Sequence, residues 1–232
     1  MNPHGPLARR AVIFDLDGTL VDSRVDIAAA ANHARIAAGL QPLPTEVVTR
    51  YVGDGVARLM ERVLAHDRDA DQPIGLAAAA ALSAGLARFA EYYGDHLLDT
   101  TRLYPGIADL LTALAGRPLF VATNKPRRFT LAILSGLGVA GCFRRVVAGD
   151  DVAERKPDPA HLLACLAGTG LAAEHAIVVG DSTHDIRAAR ALHARAVAVG
   201  WGLVEPARLA AESPDALVDD VAALGRELGA GT

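Results

Sequence analysis

Lysine is the residue this chain most nearly does without. Of 23 basic residues, 21 are arginine, and lysine stands only at Lys125 and Lys156. Either chance spared those two positions, or they need a compact ammonium that a planar guanidinium cannot replace. Cysteine is scarce too. Cys142 and Cys165 form neither a disulfide framework nor a metal-ligand spacing, which fits a reducing cytoplasm. The eight histidines are scattered without ligand spacing, which argues against zinc. A formal charge of −4 carries no electrostatic footprint for nucleic acid or an anionic membrane. Met1 to Arg10 lacks the apolar centre of a signal peptide. The Ala-rich stretch Ala77–Leu82 falls far short of the roughly 20 residues of a membrane span. A cytoplasmic protein is expected.

Two motif matches fail on context. Gly136-Leu137-Gly138-Val139-Ala140-Gly141 has the letters of a dinucleotide fingerprint, but it follows a helical pattern and precedes a strand. Glycines closing a helix explain it better. No Gly-x-Ser-x-Gly elbow is present.

What the chain does have is apolar surface, 51% of 232 residues, enough for a sizeable core. Ala11–Asp17 is a continuous apolar run ending in acids, which reads as a buried parallel strand. Similar runs recur at Leu119–Thr123, Val146–Gly149, Ala176–Gly180, Ala196–Gly200 and, more weakly, Ala216–Val218. Helix-length segments lie between them at Arg127–Leu137, Pro159–Thr169 and Asp185–Leu192. This alternation predicts an α/β fold, a doubly wound, Rossmann-like parallel sheet. From Ser23 to Leu103 the rhythm breaks. The stretch is Ala-rich, with helical spacing at Asp26–Gly39, Val56–His66 and Leu76–Leu98, and Tyr104-Pro105-Gly106 marks the return to the core. The expected organisation is a core of 1–22 and 104–232 with a helical domain of 23–103 inserted after the first strand.

Ligands of open α/β sheets bind at the C-terminal ends of the strands. Those ends carry Asp15 and Asp17, Thr123 and Asn124, Asp150 and Asp151, and Asp181. Residues two apart on a strand share a side, so Asp15 and Asp17 are expected together. Two such carboxylates repel unless a cation lies between them, and Mg²⁺ suits carboxylates plus phosphate and water. One carboxylate can attack phosphorus while the other moves protons. An ordinary pair of acids in a turn built on Gly18 is the competing reading.

Four ordered segments decide between them. Asp15-Leu16-Asp17-Gly18-Thr19-Leu20-Val21-Asp22-Ser23, Val121-Ala122-Thr123-Asn124-Lys125-Pro126, Lys156-Pro157-Asp158-Pro159 and Gly180-Asp181-Ser182-Thr183-His184-Asp185 resemble the four motifs of the haloacid dehalogenase-like hydrolases. The resemblance covers nearly the whole chain. It implies Asp15 as nucleophile and metal ligand, with Asp17 as acid and base whose backbone carbonyl also reaches the metal. It further implies Thr123 and Asn124 as holders of the phosphoryl oxygens and Lys156 as the charge between Asp15 and phosphate. Asp181 would complete an Mg²⁺ site, with Asp185 a direct or outer partner. Asp185 in a first helical turn also suits the helix dipole alone.

An acid at position 17 separates phosphatases of this superfamily from its dehalogenases. Tyr51-Val52-Gly53-Asp54-Gly55-Val56, Tyr104-Pro105-Gly106 and Gly149-Asp150-Asp151, added to the motifs, resemble the phosphoglycolate phosphatase group. The insert resembles a small cap that closes over the site and excludes water. Gly53 and its neighbours could offer backbone N–H groups to a small carboxylate. Arg58 and Arg62 either add a cation there or are solvated, with Asp54 capping the helix. His193 stands where relatives usually have glycine, and Trp201-Gly202 is a less familiar rim. The expected partner is a small phosphate monoester, with no nucleic acid or membrane, for a monomer or homodimer. The alternatives are a phosphatase for a sugar phosphate or pyrophosphate, a phosphosugar mutase, or a regulatory protein without turnover. The last is disfavoured because every expected acid, hydroxyl and lysine is present.

Overall fold

The computed structural model describes residues 10–67 and 76–230. Of the opening stretch read above for a leader, only Arg10 lies within them. The chain divides into two compact units: residues 10–22 with 102–230, and the helical stretch Ser23–Thr101.

In chain order the first unit opens with β1 (Val12–Phe14) and β2 (Val21–Asp22). The helical unit follows, with α1 (Arg24–Ala37), α2 (Thr45–Thr49), α3 (Val56–Ala65) and α4 (Leu76–His96). The first unit then resumes with β3 (Arg102–Leu103), α5 (Ile107–Ala113), β4 (Leu119–Ala122), α6 (Arg127–Gly136) and β5 (Arg145–Val147). It ends with α7 (Ala160–Leu166), β6 (Ile177–Gly180), α8 (Thr183–Ala191), β7 (Arg195–Val199), α9 (Pro206–Ala211), β8 (Ala216–Val218) and α10 (Val221–Leu228).

Six strands form one parallel sheet in the order β5-β4-β1-β6-β7-β8, with Phe14 opposite Val121 on one side and Val179 on the other. The chain leaves β1 for a neighbour on one flank and later returns to the other, the doubly wound arrangement whose crevice lies beyond the strand ends. Side chains alternate across the sheet. Ile13, Phe120, Val178 and Ala196 pack with Leu162 of α7 and Ile186 of α8, while Phe14, Val121, Val179 and Val197 are buried on the opposite face. Burial on both faces is why these strands read as unbroken apolar runs rather than alternating ones.

Three local features depart from the sequence pattern or explain it. Arg102 and Leu103, counted above with the insert, pair antiparallel with Asp22 and Val21, so a short ribbon joins the two crossings between the units. The glycine triplet does close a helix: α6 ends at Gly136, and Gly138 has φ +72°. His193 has φ +54°, the left-handed region where a side chain is strained and glycine is favoured.

Within the helical unit, Asp26 in the first turn of α1 accepts hydrogen bonds from the backbone N–H and hydroxyl groups of Thr100 and Thr101. One buried carboxylate thereby clasps the beginning of this unit to its end. Arg35 is fully buried and donates to the carbonyls of Gln41 and Val63 and to Asp67. Among the described residues no helix is long and apolar enough to cross a membrane.

Candidate active site

Asp15, Thr123 and Asp181 each follow directly on the last residue of β1, β4 and β6, which are neighbours at the centre of the sheet. The fold therefore sets them side by side without help from long loops. The Asp15 N–H donates to the Val179 carbonyl at 2.9 Å and the Thr123 N–H to Val147 at 3.1 Å, so the ladder fixes both residues as it ends.

Asp15, Asp181 and Asp185 form the cluster the topology leads to expect, with one carboxylate oxygen of each within 4.8 Å of the others. Asp185 is held by a capping box at the start of α8. Its Oδ2 accepts from the Ser182 N–H and hydroxyl at 3.1 and 2.6 Å. Its Oδ1 accepts from Lys156 at 2.6 Å. Asp185 thus stands in the first turn of α8 and also lies beside Asp15, Asp181 and Lys156. Asp181 lies in a tight socket: the Leu203 N–H donates to its Oδ2 at 2.6 Å and the Thr19 hydroxyl to its Oδ1 at 3.4 Å. A Cβ at Gly18 would come within 2.1 Å of Asp181 Oδ2, and one at Gly202 within 2.2 Å of Asp181 Cβ. Only glycine permits this approach from both sides. Trp201, the unfamiliar rim residue, donates from its indole to the Thr19 carbonyl at 3.3 Å, so this loop braces Asp181.

The electrostatics follow from burial. Removal from water, then the nearby Asp185 and Asp17 charges against the pull of Lys156, pushes Asp15 up to about 6. Burial, followed by Asp15 and Asp185, raises Asp181 well above the ordinary carboxylate range. Burial works against the Lys156 ammonium, but Asp15 at 2.8 Å and Asp185 outweigh it and hold its pKa above normal. Three buried carboxylates share one ammonium. That excess of negative charge, presented by hard oxygen donors, fits a divalent cation.

Asp17 stands outside this cluster. Both of its carboxylate oxygens accept from Lys125, at 3.0 and 3.1 Å, and the two side chains are 11% and 4% exposed. Lys125, whose part the sequence left undefined, is thus buried on a catalytic candidate. The two lysines of the chain divide the two aspartates between them.

Asn124 donates its side-chain amide to the Lys156 carbonyl at 2.9 Å, and the Lys125 N–H donates to the Thr123 hydroxyl at 3.3 Å. A Cβ at Gly149 would lie 2.3 Å from the Asn124 carbonyl, so that glycine lets the loops after β4 and β5 touch. Sequence reasoning missed His161. Its Nδ1 accepts from the Lys156 N–H at 3.3 Å and its Nε2 faces the Val147 carbonyl at 3.2 Å. Burial, then Lys156, drops its pKa to about 4, so it is neutral near pH 7.

Two strand-end acids do not join the cluster. Asp150 accepts from the Arg127 N–H and Asp151 pairs with the Arg127 guanidinium at 2.6 Å, tying the start of α6 to the loop after β5. In the helical unit, Gly53 and Gly55 have φ +125° and +85°, so this turn demands glycine for its backbone. Gly55 is the N-cap of α3 and no side chain caps it; Asp54 pairs instead with Arg62 at 2.6 Å, and Arg58 with Glu61 at 2.5 Å.

The profile of the haloacid dehalogenase-like hydrolase family matches residues 12–199. A phosphoglycolate phosphatase of Chromobacterium violaceum is 40% identical over 208 residues, covering 88% of this chain and 90% of the relative. One from Rhodospirillum rubrum is 41% identical over 228 residues, 95% of this chain and 91% of the relative. A crystal structure from Haemophilus somnus, described as a predicted phosphoglycolate phosphatase, superposes with a TM-score of 0.88 at 30% identity, covering 96% of this chain and 99% of that one. With that profile matching most of the chain and relatives of about 40% identity aligned over nearly its full length, this chain is a member of the haloacid dehalogenase-like hydrolases.

Proposed function

We propose that this protein is a Mg²⁺-dependent phosphatase that hydrolyses 2-phosphoglycolate to glycolate and phosphate through a phosphorylated Asp15. The observation that carries the reading is the placement of Asp15: buried at the end of the central strand, 2.8 Å from an ammonium, and within a three-carboxylate cluster suited to a divalent ion.

In the first step an Asp15 carboxylate oxygen attacks phosphorus and the bond from phosphorus to the glycolate oxygen breaks. Asp17 delivers a proton to that oxygen, and glycolate leaves. In the second step Asp17, now a carboxylate, takes a proton from water as the water oxygen attacks phosphorus. The bond to Asp15 breaks, phosphate forms and the aspartate is restored. Lys156 and the Thr123 hydroxyl neutralise the phosphoryl oxygens as charge builds on them, the main source of barrier lowering in phosphoryl transfer. Asn124 positions Lys156 through its carbonyl and offers its own N–H to the same oxygens. Asp15, Asp181 and Asp185, with the Asp17 carbonyl, would hold Mg²⁺. The ion supplies positive charge that offsets the repulsion between an anionic nucleophile and an anionic substrate.

The test is steady-state kinetics on 2-phosphoglycolate, glycerol phosphate, hexose phosphates and nucleoside monophosphates, with and without Mg²⁺. A clear preference for 2-phosphoglycolate, lost on chelation, is expected. A kcat/KM for hexose phosphates above that for 2-phosphoglycolate contradicts the substrate assignment.

A further inference from the structure

We infer that Lys125 recognises the carboxylate of the substrate, so that the core loop after β4 selects short acids carrying phosphate on the α-oxygen. The inference rests on the 2-phosphoglycolate reading above and names the residue that confers it.

Lys156 lies on Asp15, where phosphorus must arrive. Lys125 lies on Asp17, where the leaving oxygen must arrive. For Asp17 to protonate that oxygen, the two must approach within about 2.6–3.2 Å. In 2-phosphoglycolate the carbon bearing the leaving oxygen is bonded directly to the carboxylate carbon. A pose that serves Asp17 therefore brings the substrate carboxylate close to the groups around Asp17. Among them is the Lys125 ammonium, 3.0 and 3.1 Å from the two Asp17 oxygens and 4% exposed. An ammonium has three donors and can serve two carboxylates at once. Lys156 does so a short distance away, at 2.8 Å from Asp15 and 2.6 Å from Asp185.

Two further observations favour a carboxylate at Lys125. A buried ammonium is stabilised by an anion and gains little from a methyl or hydroxymethyl group. The chain uses arginine at every basic position except these two, which suits sites that call for a compact ammonium with rotatable donors rather than a planar guanidinium. One lysine thus takes the phosphoryl end of the substrate and the other its acid end.

The test compares 2-phosphoglycolate with ethyl phosphate, of equal chain length but with methyl in place of the carboxylate, in the wild type and in Lys125→Met with Mg²⁺ present. Loss of Lys125 also loosens Asp17, which slows both substrates; the ratio of their kcat/KM values isolates the carboxylate. That ratio is expected to fall on the order of 30-fold, the worth of one charge-assisted hydrogen bond. A ratio kept within about threefold overturns the inference, while a wild type with no preference for 2-phosphoglycolate overturns the substrate reading instead. A second measurement needs no folded Lys125→Met. With only two lysines, protein labelled with ¹⁵N and ¹³C in lysine gives two side-chain signals, assigned with Lys125→Arg. Glycolate, at concentrations that inhibit turnover, is expected to move the Lys125 signal more than the Lys156 signal, and inorganic phosphate the reverse. A Lys125 signal that ignores glycolate overturns the inference.

Discussion

The Lys156 ammonium reaches Asp15 across 141 positions of sequence and closes to 2.8 Å. The same nitrogen holds Asp185, and its backbone is held in turn by Asn124 and His161. Replacing Lys156 with methionine leaves two buried carboxylates without their cation. Turnover is expected to fall on the order of 10² to 10³-fold. Thermal unfolding of the metal-free variant should drop by the several degrees that a broken buried ion pair implies, and added Mg²⁺ should recover part of the loss.

Gly202 tests the socket of Asp181. A methyl group there meets Asp181 Cβ at 2.2 Å, whereas Gly94 in α4 has nothing within 4 Å. Gly202→Ala is expected to weaken Mg²⁺ binding about tenfold or more by calorimetry, because the ligand is displaced by what supports it. Gly94→Ala should leave binding unchanged and raise stability by about 0.5–1 kcal/mol.

The pH dependence of metal binding follows from the raised carboxylates. In metal-free protein Asp15 holds its proton up to about pH 6, above the unfolded value near 3.9, so the folded state binds more protons in that window. Its contribution to stability is therefore greatest below the window and is lost as pH rises through it. Asp181 acts in the same direction. His161 runs the other way: pushed down to about 4, it costs stability as pH falls from about 6.5 towards 4. It is common to metal-free and Mg²⁺-loaded protein, so the difference between their melting temperatures isolates the carboxylates. That difference should grow from pH 5 to pH 8. A flat difference contradicts the cluster as the metal site.

Asp26 gives a prediction away from the chemistry. Burial opposes its charge, but the hydrogen bonds from Thr100 and Thr101 outweigh it and lower its pKa. A depressed carboxylate stabilises above its unfolded pKa, and that stabilisation is lost as pH falls through the folded value. Asp26→Ala is expected to cost about 3 kcal/mol near neutral pH by denaturant unfolding, and progressively less below pH 4.

The sheet was legible because strands buried on both faces write themselves as apolar runs, and a parallel strand marks its own C-terminal end by the first acid or hydroxyl after it. Asp15, Thr123 and Asp181 were found this way. Strand-end position says nothing of where a side chain points, however, which is why Asp150 and Asp151 were placed with them but serve Arg127 instead. The pairing of Lys125 with Asp17 spans 108 positions and depends on how two loops meet, so only the scarcity of lysine hinted at it. The two-residue strands β2 and β3 and the five-residue α2 are too short to carry a period. The loop from Trp201 to Leu203 acts on Asp181 through its backbone, which no side-chain pattern records.

The proposed chemistry depends above all on Asp15, and Asp15→Asn removes the proposed nucleophile while keeping the shape of the side chain. With Mg²⁺ and 2-phosphoglycolate, the folded variant is expected to lose at least about 10⁴-fold in kcat. Turnover within tenfold of wild type would contradict a covalent bond between this residue and phosphorus.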